Sequence, residues 1–505
     1  MTTVEAPPAL TALRERLAEL SDLGRAGALL RWDQETKMPP GAAAERAEQI
    51  ATLERIAHER LVDERLGELL EELLDHERAL PHDDDEASLI RVARTDREKA
   101  VRVPSALVAE MARASSEGQL VWRDARDASD FALLVPALER NVALARQYAA
   151  CFPDAERPYD ALLDDHEPGM RTAEAEAVLG PLRAGLVPLL EEVQASPTSI
   201  GKGPLHGPLP VARQRTLVTG VLAALGVEAR TWRTDDTRHP FAMAAAGADV
   251  RLTTRYAEED LDSLFAAIHE FGHGLYEHAI APSLWRTPLA HGVSSAVHES
   301  QSRLWENFVG RSEGFWRWCF PRLRDAFPER YGQADWRVLH RAANAVAPSL
   351  IRTSADELTY GLHVAVRFEL ELALFDGSLE VRDLREGWNA RYRQYLGIEV
   401  PSDALGVLQD VHWPAGLFGY FPTYALGNVL AAQLWERIGA ELPDLDERFA
   451  AGDFAPLREW LRERVHRHGR KFTAGETIER AAGGPLDPGP FLAYLRRKLT
   501  PLYGL

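Results

Sequence analysis

Cysteine is nearly absent: Cys151 and Cys319 are the only two in 505 residues. Two isolated thiols cannot build a disulfide framework, and they fit a reducing compartment. Lysine is scarce beside arginine, a compositional bias rather than a functional signal. Long apolar runs are missing too. No stretch approaches the roughly 18 residues needed to cross a bilayer, and Arg14, Glu15, Arg16 and Glu19 break up Met1–Arg31 where a secretory signal would need its apolar core. A soluble, cytoplasmic protein with no membrane partner is the expectation. Positive charge is in deficit, with a net charge of −19. Nucleic acid is therefore excluded as an expected partner, because its binding relies on clustered Lys and Arg. No internal repeat, low-complexity tract or long linker divides the chain, so a single domain over residues 1–505 is expected, large enough for two lobes.

What is present is helix after helix. Between Leu10 and Leu30 apolar residues recur at spacings of three and four, and the pattern returns around residues 42–80, 118–150, 172–194 and 211–226. Proline and glycine punctuate it at Met38-Pro39-Pro40-Gly41, Glu167-Pro168-Gly169 and Gly201–Pro210. One segment breaks the helical period. His239–Met243 and Asp249–Tyr256 flank an Ala/Gly turn, and Val250, Leu252, Thr254 and Tyr256 alternate with Arg251, Thr253 and Arg255. That alternation predicts a hairpin whose edge can accept an extended peptide as a further strand.

Directly after it comes His269-Glu270-Phe271-Gly272-His273, preceded by Leu261, Leu264, Phe265 and Ile268 on one helical face. Two histidines four apart lie about 40° apart around a helix, so both imidazoles can converge on one ion. Glu270 then stands close enough to touch a metal-bound water without being a ligand. A chance match of this short pattern is the competing explanation, so the assignment needs a third ligand. Glu299 supplies one, from a second helix spanning Val297–Asn307 with Val297, Leu304 and Phe308 inward and Ser294 or Ser295 as N-cap. Taken alone, Glu299 reads as a surface carboxylate. Beside the first motif, two histidines and a glutamate make a site with one open position, which favours zinc, with cobalt or manganese able to take the same geometry. His298 points about 100° away from Glu299 and is either a supporting residue behind the site or an ordinary surface histidine.

Further motifs run along almost the whole chain: Trp32-Asp33-Gln34-Glu35-Thr36, His239-Pro240-Phe241, Asp249-Val250-Arg251-Leu252-Thr253, Ile351-Arg352 with Ala355-Asp356-Glu357-Leu358-Thr359, and Gly406 with Gln409-Asp410-Val411-His412-Trp413. Together with the metal motifs they resemble the carboxypeptidase Taq family of zinc metallocarboxypeptidases. That resemblance implies a mainly α, two-lobed peptidase fold with a deep cleft and a small hairpin, similar to the angiotensin-converting enzyme and neurolysin group. It implies release of single C-terminal residues from peptides with broad specificity, one zinc per chain, and a homodimer.

The resemblance also implies roles for individual residues. His412 and Tyr424 would donate hydrogen bonds to the oxyanion, with Tyr420 the competing tyrosine and a packed core aromatic the alternative for Tyr424. Arg352 would grip the free C-terminal carboxylate, a task its planar fork suits, unless it is spent on an ion pair with Asp356. His239 would contact the substrate backbone. Arg251 would shape its strand, and Asp33 and Glu35 look structural. Three rival functions stay open: a peptidase of the same fold cutting internally or removing dipeptides, a scaffold that keeps the metal without catalysis, and a helical structural protein whose motifs coincide by chance.

Overall fold

A computed structural model describes residues 7–505. The first helix runs Pro8–Thr36, and the second, Ala43–Leu61, packs back along it after the Pro39–Gly41 turn. The region read as 42–80 divides into Ala43–Leu61, Glu64–Glu72 and Leu74–Ala79. That read as 118–150 divides into Ser105–Ala128 and Val135–Ala149, because Ser129 takes a left-handed conformation (φ 51°) and ends the first. Thr172–Ala195 continues through Pro181 and Pro188, and Val211–Leu225 stops at Gly226, whose φ of 112° suits glycine. No helix among the described residues is long and apolar enough to cross a membrane.

The sheet has three strands, one more than the hairpin pattern predicts. β1 (Trp232–Asp236) runs parallel to β3 (Asp249–Thr254), and β2 (Ala242–Ala246) pairs antiparallel to β3, giving the order β1-β3-β2. The first arm therefore begins at Ala242 and leaves His239 and Pro240 ahead of the ladder, to which proline cannot donate. β1 hides in the sequence because only Trp232 and Asp235 of its five residues are buried. Trp32 explains how the first helix meets this sheet. Its ring lies under the guanidinium groups of both Arg233 and Arg251, at 4.7 and 4.3 Å. Arg251 is thus a shaping residue, and Asp33 pairs with Arg46 at 2.8 Å.

Apolar packing falls into two clusters. The larger runs from Ala125 to Tyr503 and encloses Trp305, Trp316 and Trp388. The smaller joins Leu10, Leu13 and Leu17 to Leu66, Leu89 and Ile90, and closes on Ile280, Leu284 and Leu289.

Between sheet and core runs the histidine helix, Asp262–His278. Two glycines on opposite faces let it approach its neighbours. A Cβ on Gly274 would sit 2.6 Å from the Trp232 ring and 2.8 Å from Leu252, so this face lies against the sheet. A Cβ on Gly272 would sit 2.5 Å from the Gln301 carbonyl oxygen and 2.6 Å from Ser302 Cα, both on the glutamate helix, Ser295–Arg303. Backbone has little room to retreat there. Gly272→Ala is therefore expected to force the two helices apart, costing about 1–3 kcal/mol of stability despite alanine's better helix propensity. Metal affinity should fall with it. Denaturant unfolding and metal titration check this, and an unchanged pair of values would show that the contact can relax.

Candidate metal centre

The glutamate helix starts at Ser294, whose hydroxyl accepts from the Val297 N–H at 3.2 Å, and Ser295 follows inside the helix. Its first turn is held from below by buried Glu167, whose carboxylate accepts from the Ala296 N–H. Burial pushes the Glu167 carboxyl up to about 8. Behind the helix lies the tyrosine helix, Phe421–Glu441, where a Cβ on Gly427 would meet Glu299 Cβ and Cγ at 2.8 Å. Glu299 is thus wedged between two helices and aimed at a third.

His269, His273 and Glu299 come together: one ligand atom from each lies within 4.8 Å of the others. The Nε2 atoms of His269 and His273 stand 3.6 and 3.3 Å from the same oxygen, Glu299 Oε2. The far side of each imidazole is also fixed. His269 Nδ1 lies 2.9 Å from Glu306 Oε2, and His273 Nδ1 lies 2.6 Å from His298 Nδ1. His298 Nε2 faces Glu277 Oε1 at 3.4 Å. With Nδ1–H donating to Glu306 and to His298, both Nε2 lone pairs point inward, the tautomer a metal requires. His298 is a supporting residue, as one of its two readings has it.

The electrostatics match a cation. Glu299 is fully buried, which alone would raise its pKa, yet Arg303, His269 and His273 outweigh burial and hold it well below the usual carboxylate range. Glu306 is likewise depressed against burial, mainly by Arg303. Arg303 Nε donates to Glu299 Oε1 at 2.6 Å and its Nη1 to Glu306 Oε2 at 3.1 Å, while Arg311 reaches Glu306 Oε1 at 3.2 Å. Glu306 stands on a π-helical turn, Leu304–Val309, continuing the glutamate helix. Glu270 is 6% exposed, and burial pushes its carboxyl up to about 7. Two imidazoles with their outer nitrogens engaged and an ionised carboxylate between them are a donor set that fits a divalent ion.

A cavity of about 640 Å³ opens over these groups, lined by His269, Glu270, His273 and Glu299 and walled by Phe241, Ala242, Tyr420 and Tyr424. β2 is the sheet edge at this wall, although Arg25 already occupies its Ala244 carbonyl oxygen at 2.6 Å. His412 Nε2 lies 3.2 Å from the Tyr424 hydroxyl, and burial pushes its imidazole down to about 3, so it is neutral.

Three residues singled out in the sequence stand apart from the cavity wall, and His412, behind Tyr424, is one of them. His239 is exposed, one residue before Pro240, which does line the cavity. Arg352 is buried and lies behind the Tyr424 ring at 4.8 Å, its fork on Asp410 at 2.9 and 3.2 Å and its Nη1 on the Tyr360 hydroxyl at 3.0 Å. The partner is Asp410 rather than Asp356, because Asp356 turns its oxygens to the backbone of Ala347, Leu358 and Thr359. The cavity also contains His166, His291 and Arg470, which no motif flagged.

A family model for the carboxypeptidase Taq (M32) metallopeptidases matches residues 12–499. The chain belongs to the carboxypeptidase Taq family. It is 43% identical over 502 residues to thermostable carboxypeptidase 1 of Thermus thermophilus, covering 97% of this chain and 98% of that protein. It is 36% identical to carboxypeptidase 1 of Bacillus subtilis, over 96% and 97%. Among solved structures, the M32 carboxypeptidase of Deinococcus radiodurans R1 superposes with a TM-score of 0.94 at 43% identity, covering 99% of this chain and 100% of that one. The protein is a metallocarboxypeptidase, and its mainly helical fold is that of the family.

The His269–Glu306 contact gives a direct test of the supporting shell. Glu306→Ala should weaken metal binding by about 10–100-fold while leaving the three ligands in place. Competition against a chelating dye measures it. Unchanged affinity would mean that the imidazole is oriented by packing alone.

Proposed function

We propose that the protein is a zinc-dependent carboxypeptidase that releases single C-terminal residues from peptides with broad specificity. The observation that carries this is the convergence of His269, His273 and Glu299 under a cavity that Glu270 also lines. Two imidazoles and a carboxylate with an open position are the donor set zinc takes in peptidases. Bound there, a divalent ion supplies Lewis acidity, polarising the scissile carbonyl and acidifying water.

The remaining work falls to the chain itself. Glu270, with a carboxyl poised near neutrality by burial, takes the proton of the attacking water and passes it to the leaving amine. Tyr424, backed by neutral His412, donates to the developing oxyanion. Tyr420 stands beside it, ring centroids 5.1 Å apart, and is the alternative donor. His239 and the exposed edge of β2 meet the substrate backbone from the sheet side.

Arg352 grips the chain-end carboxylate with the N–H groups that Asp410 and Tyr360 leave free. A second cation, Arg470, already lines the cavity, though both its Nη atoms are held by Asp96 at 2.9 and 2.7 Å. Its position makes it the competing clamp.

The deciding experiment digests one peptide as free acid and as C-terminal amide, with and without chelator, and follows the products by mass spectrometry. Stepwise loss of single residues from the free acid alone, abolished by chelator, is expected; internal or dipeptide cuts in both forms would overturn the single-residue reading. Arg352→Ala should erase the free-acid preference, and if Arg470→Ala does so instead the clamp is reassigned. Glu270→Gln should keep its metal and lose about 10²–10⁴-fold in turnover; full activity would remove the proposed base.

The two tyrosines are separated by single substitutions. Tyr424→Phe should raise the barrier by about 2.7–4 kcal/mol, seen in kcat with little change in KM, and Tyr420→Phe should not. The reverse result would transfer the oxyanion role to Tyr420.

A further inference from the structure

A second cavity, of about 720 Å³, adjoins the metal cavity, and Asp165, His291 and Arg470 line both. It lies between the first two helices on one side and Asp85–Arg102 and Ser105–Ala128 on the other, over the smaller apolar cluster. Leu17, Leu20, Leu61, Val103, Val108 and Met111 give it an apolar wall. Its charged groups are already paired. Arg470 is held in a two-pronged pair by Asp96, and Lys99 lies 2.7 and 2.6 Å from Asp164 and Asp165. His291 is also uncharged, burial pushing it down to about 4. An apolar lining whose charges are already paired rejects further charged side chains, since burying an unpaired charge is costly. It accepts aliphatic and aromatic ones, each worth roughly 1.5–3 kcal/mol when fully buried.

We infer that this second cavity is a subsite for apolar side chains of the substrate, several residues upstream of the bond that is cut. The inference rests on the metal cavity being the place of cleavage. Continuity through Asp165, His291 and Arg470 gives the peptide a path from one cavity to the other. Size argues for upstream residues: about 720 Å³ falls in the range of whole small-ligand sites, ~300–1,000 Å³, more than the single side chain beside the scissile bond needs. Position argues likewise. Tyr420, Tyr424, Phe241 and Ala242 line only the metal cavity. With the chain end held on the Tyr424 and Arg352 side, the part of the peptide that is retained leaves through the other mouth. The enzyme is thereby selective for the interior of its substrates as well as for their ends, favouring peptides long enough to place an aliphatic or aromatic residue here.

The test uses the metal-loaded full chain. Its substrates are an N-blocked dipeptide and longer N-blocked peptides ending in the same dipeptide, with Leu or Asp placed at each upstream position in turn. The readout is kcat/KM for release of the common C-terminal residue. At one or more upstream positions Leu should be preferred to Asp by about tenfold or more. Met111→Glu, and separately V108D at a position already 42% exposed, should remove that preference and leave the blocked dipeptide within about twofold of the unaltered enzyme. Thermal midpoints of both variants establish that they fold, and the position scan on the unaltered enzyme tests the inference even where a variant does not. Equal rates at every upstream position would overturn it, as would variants that change the choice of released residue, which would make the cavity a pocket for the terminal side chain. Failure to release residues from any of the peptides would instead remove the cleavage site on which the inference stands.

Discussion

Two imidazoles from one helix and a carboxylate from another can meet at one point only if the two backbones lie closer than side chains ordinarily allow. That constraint organises the centre of this protein. Gly272 brings the histidine helix against Gln301 and Ser302, Gly427 brings the tyrosine helix against the stem of Glu299, and Gly274 lets the sheet close the opposite face. Each glycine is there for proximity rather than for an unusual backbone angle, since all three sit inside regular helix. The π-helical turn then places Glu306 behind His269.

Bringing these groups together concentrates charge where water is scarce. Glu299, Glu306 and Glu277 are all held ionised against burial. Arg303 faces the first two and Arg311 the second, while His298 holds the third down, helped by His291 and by Arg25 at 3.4 Å. A buried ion pair contributes little net stability once desolvation is counted. Its use here is different: the arginines keep two carboxylates anionic, one within the candidate metal site and one against the His269 imidazole. Glu270 has no comparable cation against it, and so its carboxyl rises towards neutrality while its neighbours fall. Environment alone divides four glutamates into one carboxyl poised near neutrality and three fixed anions.

That division explains what could be read from the sequence and what could not. The candidate triad was legible because its spacing is local: four residues on one helix, and a glutamate one helix further on. The helical period located most elements, and it missed breaks such as Ser129 where one residue's backbone decides. β1 was invisible because its outward residues, Arg233, Thr234 and Asp236, are polar and do not alternate with apolar ones. Glu306, Arg303, Glu277 and Arg470 carried no signal, since an exposed helix face and a buried ion pair have the same composition. Arg352 shows the opposite limit. Its motif marked it as important, yet spacing offered Asp356 one turn away, and the fold chose Asp410, fifty-eight residues on.

Asp410 in turn ties the aromatic side of the cleft together. It also accepts from Arg367, whose guanidinium lies 4.4 Å over Trp388, and it leaves Arg352 under Tyr424. From the other side, buried Glu371 accepts from the Tyr159 hydroxyl, the Trp413 indole and the Gly419 backbone N–H. The segment from His412 to Tyr420 is therefore pinned at both ends, while Gly416 and Gly419, at φ 72° and 80°, let it turn sharply between them. For the oxyanion role proposed for Tyr424, a donor is worth most when it need not reorganise as charge develops. By fixing the segment through buried carboxylates rather than through contacts in the cavity, the protein holds His412 and Tyr424 in register and leaves the cavity wall free for substrate.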